Sequence, residues 1–131
     1  MIVADSSAIV AFFLREEGWT ELSKYMTMTV SVDHVIKEFY NAVWKAVTIK
    51  RISVEEVPRV LALFKDYVKR NMELRREEEH VDKALEIALE NGITIYDALF
   101  IALALHEKGQ LLTLDDKQRH ASKRLGIMTI P

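Results

Sequence analysis

The chain has 131 residues, the length of one domain rather than two. Hydrophobic residues make up 50% of it and charged residues 29%, a balance that excludes a disordered chain. Lys+Arg 18 against Asp+Glu 20 leaves a formal net charge of -2, which excludes a strongly basic nucleic-acid wrapper but leaves room for a local basic patch. With Cys 0, disulfide frameworks, thiolate zinc sites and cysteine nucleophiles are excluded as well, so any metal must be held by oxygen or imidazole ligands.

The N-terminus reaches Asp5 with neither a basic region nor a long apolar stretch, unlike a signal peptide. The longest apolar run, Ala98 to Leu105, falls well short of the about 20 residues a membrane span needs. The expectation is a soluble, cytoplasmic protein without a membrane partner. Gly 4, Pro 2 and only five side-chain amides (Asn41, Asn71, Asn91, Gln110 and Gln118) point to short loops and lean towards a heat-tolerant source.

In chain order, Ile2-Val3-Ala4 reads as a short strand ending at Asp5. Ala8, Ile9, Phe12 and Phe13 then recur at helical spacing, with Ser6 or Ser7 placed to cap the helix. A second helix covers Trp19 to Met26, and β-branched Thr29 to Val32 is the second strand. Val35, Phe39, Ala42 and Ala46 share one face of a helix beginning near Asp33. After a break at Ile52-Ser53, Ser53 to Glu56 forms a capping box for a helix reaching about Arg70. The stretch from Glu73 to Glu79 reads as a solvated helix start. A helix from Val81 stops at Asn91-Gly92, and another from Thr94 to Lys108 stops at Gly109. Leu111 to Leu114 is a strand, Asp115 to Leu125 a short helix, and Ile127 to Ile130 the last strand.

Short apolar strands alternating with helices imply right-handed crossovers and a parallel sheet covered on both faces. The expected fold is therefore a single three-layer α/β/α domain with a short parallel sheet of four to five strands. In such sheets, sites form beyond the carboxyl ends of the strands. Asp5 follows the first strand and Asp115-Asp116 the third of the four. Each alone is a common cap. Glu38 lies about −60° from Val35 on the helical wheel, on the margin of the apolar arc. Asp97 stands in the first turn of a helix that is apolar on all sides, where Thr94-x-x-Asp97 also fits a capping box. Carboxylates gathered at that density would rise in pKa unless a cation neutralised them, and a hard ion with oxygen ligands, Mg²⁺ or Mn²⁺, suits an all-acid set. His34, His80, His106 and His120 show no ligand spacing and read as surface or helix-end residues.

Val3-Ala4-Asp5-Ser6-Ser7-Ala8-Ile9, Val35 to Ala42, Ile95-Tyr96-Asp97-Ala98 with the alanine-rich helix to Ala104, and Leu112-Thr113-Leu114-Asp115 resemble PIN domains in order and spacing. The kind they resemble is the small VapC-type toxin of type II toxin–antitoxin pairs, over essentially the whole chain. The resemblance implies an acidic cluster of Asp5, Glu38, Asp97 and Asp115 with Ser7 and Thr113 as supporting hydroxyls, Asp115 being preferred to Asp116 because Thr113-Leu114-Asp115 keeps the pattern. It implies metal-dependent cleavage of RNA, restraint by a cognate antitoxin, and a homodimer. Lys117, Arg119, Lys123 and Arg124 are either phosphate contacts or a solvated basic face. Trp44 and Tyr40 point away from the core, towards a protein interface or the helix from Val57 to Val68. The alternatives are a PIN-fold partner-binding protein with weak or vestigial nuclease activity and, further off, a phospho-acceptor signalling domain. The latter would need paired acids after the first strand, where this chain has Ser6-Ser7.

Overall fold

A computed structural model describes all residues from Met1 to Pro131. Five parallel strands, β1 (Ile2–Ala4), β2 (Thr29–Val32), β3 (Met72–Arg75), β4 (Gln110–Leu112) and β5 (Thr129–Ile130), lie in the order β3-β2-β1-β4-β5. Seven α-helices join them: α1 (Ser6–Phe13), α2 (Trp19–Leu22), α3 (His34–Thr48), α4 (Val57–Asn71), α5 (Val81–Asn91), α6 (Ile95–Glu107) and α7 (Asp116–Arg124). From β1 the chain steps to β2 and β3 in one direction, then returns past β1 to β4 and β5 in the other. Right-handed crossovers therefore put α1 to α4 on one face and α5 to α7 on the opposite face. The expected α/β/α layering is present.

Each face is built by a recognisable sequence device. Ala98 to Ala104 of α6 is buried on every side, because this helix lies on β1, β2 and β4 while α5 covers its outer side. On the opposite face, Phe39 and Phe64 stack at 3.9 Å between centroids and Phe13 meets both edge-on. These rings join α1, α3 and α4. The expected capping box is formed, with the Ser53 backbone N–H donating to Glu56 Oε1 at 3.2 Å.

Two local expectations are corrected. Met72–Arg75, partly read as a solvated helix start, is the edge strand β3, paired along its length with β2 from Thr29↔Met72 to Val32↔Arg75. Only Glu77–Glu79 forms a helical turn there, of the 3₁₀ kind. The cap of α1 is Asp5, whose side chain accepts from the Ala8 N–H, and not Ser6 or Ser7. The Ser6 hydroxyl is engaged with Glu38 and the Ser7 hydroxyl with Asp5 itself, which leaves the Asp5 carboxylate to accept from the helix N–H.

The chain reverses its direction of travel across the sheet between β1 and β4. Strands there diverge to opposite neighbours, opening a crevice outside their carboxyl ends. Asp5 and Thr113 to Asp115 follow directly on these two strands.

Candidate active site

Asp5 is fully buried. The Ser7 hydroxyl donates to it at 2.7 Å, the Thr113 hydroxyl at 2.5 Å and the Ala8 N–H at 2.9 Å. Both hydroxyls are themselves fixed. Ser7 Oγ accepts from the Leu114 N–H at 2.9 Å, and Thr113 Oγ1 from the Asp115 N–H at 3.0 Å. Two of these bonds, Thr113 to Asp5 and Leu114 to Ser7, tie the end of β1 and the start of α1 to the loop after β4. This is how residues more than a hundred positions apart come to share one carboxylate.

The other acids arrive from helix starts. Asp115 caps α7 and accepts from the Lys117 N–H at 2.8 Å. Asp97 sits in the first turn of α6, its own N–H donating to Thr94 Oγ1 at 3.2 Å and its carboxylate receiving Gln118 Nε2 at 3.3 Å. Glu38 projects from the second turn of α3 and accepts from Ser6 Oγ at 2.9 Å. Capping and assembly of the cluster are thus done by the same residues. Asp116, next to Asp115, is 90% exposed.

The proton affinities record how these charges face one another. Burial pushes Asp5 up from its ordinary 3.8 to about 6, against the hydrogen bonds from Thr113, Ala8 and Ser7, and the charge of Asp115 adds to the rise. Burial also raises Asp97, again with help from Asp115, while Gln118, Thr94 and the nearby Lys117 oppose it. Glu38 is raised by burial and by Asp97, with Ser6 opposing. The fields link Asp5 to Asp115, Asp115 to Asp97 and Asp97 to Glu38, so the four acids form one electrostatic neighbourhood. No three of the chain's carboxylate and imidazole side chains form a ready-made ion cage.

An open cleft of about 400 Å³ lies beside the cluster, lined by Ser6, Ser7, Glu38 and Leu114 and flanked by Glu16 and Glu17. Glu38 faces it, whereas Asp5 lies beneath Ser7 and Thr113. Among the basic candidates, Lys117 is the one whose charge reaches Asp97. Arg119 donates to the Thr113 carbonyl at 3.1 Å and Arg124 to Asn91 Oδ1 at 3.4 Å, so neither guanidinium is free for solvent alone.

Ser6 and Gln118 were not singled out from the sequence as site residues, yet each holds a cluster acid. Gln118 is 2% exposed in a strongly polar helix, and that contrast is visible only once the fold is known. Three histidines stand at helix ends, as expected: His34 opens α3, His80 precedes α5 and His106 lies in the last turn of α6; His80 is also buried, its ring 5.1 Å from that of His106. His34 stacks on Tyr96.

Such a parallel sheet, with acids gathered where its strand order reverses, defines a class of small α/β proteins. A sequence model described as PIN domain matches residues 2–124, and the chain belongs to the PIN domain family. It is similar to Ribonuclease VapC3 of Pyrobaculum aerophilum, with 29% identity over 117 residues, covering 87% of this chain and 88% of that protein. In fold it is similar to the crystal structure of PAE2754 from Pyrobaculum aerophilum, with a TM-score of 0.73 and 23% identity, covering 98% of this chain and 82% of that one.

Proposed function

We propose that this chain is a metal-dependent endoribonuclease of the toxin type, hydrolysing RNA phosphodiester bonds in the cytoplasm under the control of a cognate antitoxin. The observation that supports the reading is the hydrogen-bond network of Ser7 and Thr113, which joins Asp5 to the loop carrying Asp115 beyond the ends of β1 and β4, with the charges of Asp97 and Glu38 next to it. Similarity to Ribonuclease VapC3 supports the substrate class.

The donor set fits Mg²⁺ or Mn²⁺. It is all oxygen, and three of its acids already bind protons more tightly than usual, a deficit that a cation would relieve. Such ions typically meet only one or two carboxylates and keep several waters, so a closed cage is not required. Asp5, Asp97 and Asp115 would hold the ion, with Glu38 at the edge; when bound, it polarises phosphoryl oxygens and lowers the pKa of a coordinated water.

The chain's own side chains do the rest. Ser7 and Thr113 donate into Asp5 and keep its carboxylate fixed despite complete burial. Gln118 does the same for Asp97. Glu38, raised in proton affinity and facing the cleft, accepts the proton of the attacking water. Lys117 offsets part of the repulsion between the acids and the RNA backbone.

Trp44 is 64% exposed and Tyr40 38%. This outward aromatic face of α3 supports a protein contact, which we assign to homodimer formation.

The test is RNA cleavage by the purified, antitoxin-free chain under Mg²⁺ and Mn²⁺ titration, compared with Asp5→Asn and Asp97→Asn. Cleavage is expected to require the ion and to vanish in both variants while their circular dichroism stays native. RNA left intact by the wild type at every ion concentration would overturn the reading in favour of a partner-binding role.

A further inference from the structure

Beside the acidic cluster lies an aromatic pair, Tyr96 and His34. Tyr96 precedes Asp97 in the first turn of α6, a helix buried over most of its length, yet Tyr96 is 54% exposed. The His34 ring lies nearly parallel to it, at 16° and 5.0 Å between centroids. The imidazole is the inner leaf of the pair, its side chain only 13% exposed. It is held between two acids, with Nε2 at 3.4 Å from Glu38 and Nδ1 at 3.8 Å from Glu77. His34 thus sets the plane of Tyr96 and leaves the phenol ring open to solvent.

The pair borders an open hollow of about 340 Å³ lined by His34, Lys37, Glu38, Asn41 and Tyr96. That size lies in the range of small-ligand sites. Glu38 belongs both to this hollow and to the acidic cleft, so an occupant of one lies within a side chain's width of the other. Lys37 brings an ammonium that is 68% exposed and shared with Glu77 at 3.6 Å, and Asn41, one helical turn further along α3, brings an amide that both donates and accepts.

We propose that Tyr96, backed by His34, is the platform on which an unpaired nucleobase of the RNA substrate stacks next to the scissile phosphate. The inference rests on the ribonuclease reading and extends it to substrate selection. Proteins that bind single-stranded RNA combine flat aromatic faces with nearby cations and amides, because splayed bases expose a π-face and hydrogen-bonding edges. Here Lys37 meets a flanking phosphate and Asn41 reads the base edge. A duplex keeps its bases stacked and offers none of this, so the site selects single-stranded segments. The hollow has a single hydrophobic lining residue, Tyr96 itself, whereas the centre of a protein interface is apolar. RNA is the occupant its chemistry favours.

Steady-state cleavage of a short single-stranded RNA of mixed sequence tests this, using the full chain with Mn²⁺. Stacking of one base on an aromatic ring corresponds to a roughly 5- to 150-fold effect on binding. Tyr96→Ala is expected to raise KM within that range with a much smaller change in kcat, and Tyr96→Phe, which restores the ring, to restore KM. Replacing the nucleotide beside the cut by an abasic ribose is expected to weaken the wild type by the same factor and Tyr96→Ala hardly further. A 2-aminopurine at that position is expected to be quenched on binding the wild type and not on binding Tyr96→Ala.

Wild-type KM in Tyr96→Ala, or an abasic penalty equal in both proteins, overturns the platform while leaving the ribonuclease reading intact. Unchanged RNA kinetics with weakened self-association in Tyr96→Ala would make this face a protein contact and overturn the platform equally. Failure of the wild type to cut any RNA sinks the function and the platform together, and is distinguished by the absence of wild-type turnover.

Discussion

Asp5→Asn isolates the cost of the buried charge. In the folded protein the Asp5 carboxyl titrates at about 6 instead of 3.8, so the native state binds its proton more tightly than the unfolded chain does. Stability from this group is therefore greatest below pH 3.8, falls as pH rises, and is fully lost above about 6. At 1.36 kcal/mol per pH unit, that interval amounts to about 3 kcal/mol. Asn is neutral throughout. It keeps one carbonyl acceptor, and its amide can donate to Ser7 or Thr113 after a hydroxyl turns. At pH 4 the variant is expected to match the wild type within about 1 kcal/mol, the net worth of one hydrogen bond. By pH 7, in EDTA, it is expected to be the more stable protein by about 3 kcal/mol. Urea unfolding from pH 4 to 7 measures the difference directly. With m near 1–3 kcal/mol per molar for small proteins, the midpoints should separate by about 1 M or more. Asp97 and Glu38 titrate in both proteins and cancel to first order. Millimolar Mn²⁺ should then raise the wild-type midpoint and leave the variant unmoved. A stability difference that stays flat from pH 4 to 7, or that shrinks as pH rises, would refute the reasoning.

Thr113→Val removes the hydroxyl that donates to Asp5 and accepts from the Asp115 N–H; a loss of about 1–3 kcal/mol is expected at pH 7, with a further upward move of the Asp5 titration visible by carbonyl NMR. Phe64→Ala opens a void between Phe39 and Phe13 at a position 1% exposed and should cost about 3–5 kcal/mol in chemical denaturation. Trp44→Ser should leave stability within about 0.5 kcal/mol and raise the monomer fraction seen by light scattering, since Trp44 is largely exposed on the outer face of α3.

Chemistry local to a segment was legible before the fold was known. The strand Ile2-Val3-Ala4 with its terminal Asp5, the uniformly apolar α6 and the Ser53–Glu56 box each declare themselves within a dozen residues. The strand β3 does not. Met72-Glu73-Leu74-Arg75 follows α4 without a glycine or proline to mark the change, and at the sheet edge its alternating polar residues face solvent. Only pairing with β2 makes it a strand, and that information lies some 40 residues upstream. The site divides in the same way. Asp5, Asp97 and the pair Asp115-Asp116 stand out by position and Glu38 by its place on the helical wheel, while the choice of Asp115 rests on the resemblance to PIN domains. That Ser6 serves Glu38 and Gln118 serves Asp97 depends on side chains 32 and 21 residues apart meeting in space. The stacking of His34 on Tyr96 likewise crosses from α3 to α6, and no periodicity in either helix announces it.

The stability cost at Asp5 helps to decide between a structural and a chemical role for that residue. As a helix cap, Asp is nearly matched by Ser or Asn, neither of which brings a charge to be desolvated. A neutral cap at this fully buried position would satisfy the Ala8 N–H and avoid the about 3 kcal/mol that the carboxylate costs at neutral pH. The surroundings also go beyond what a cap needs. Two hydroxyls donate to the carboxylate, and each is pinned by a backbone N–H from the loop after β4. Donors fixed in this way stabilise a negative charge that must remain negative, and the residual rise in pKa measures how far they fall short. A bound divalent cation would make up the remainder. If it cancels that rise in full, the same about 3 kcal/mol strengthens its binding by roughly a hundredfold. The strain in the metal-free fold and the affinity for the ion are on this account one quantity, which is why the part of the pH dependence in EDTA that Asp5 contributes and the Mn²⁺ dependence of the unfolding midpoint should both vanish with Asp5→Asn, leaving only the share of Asp97 and Glu38.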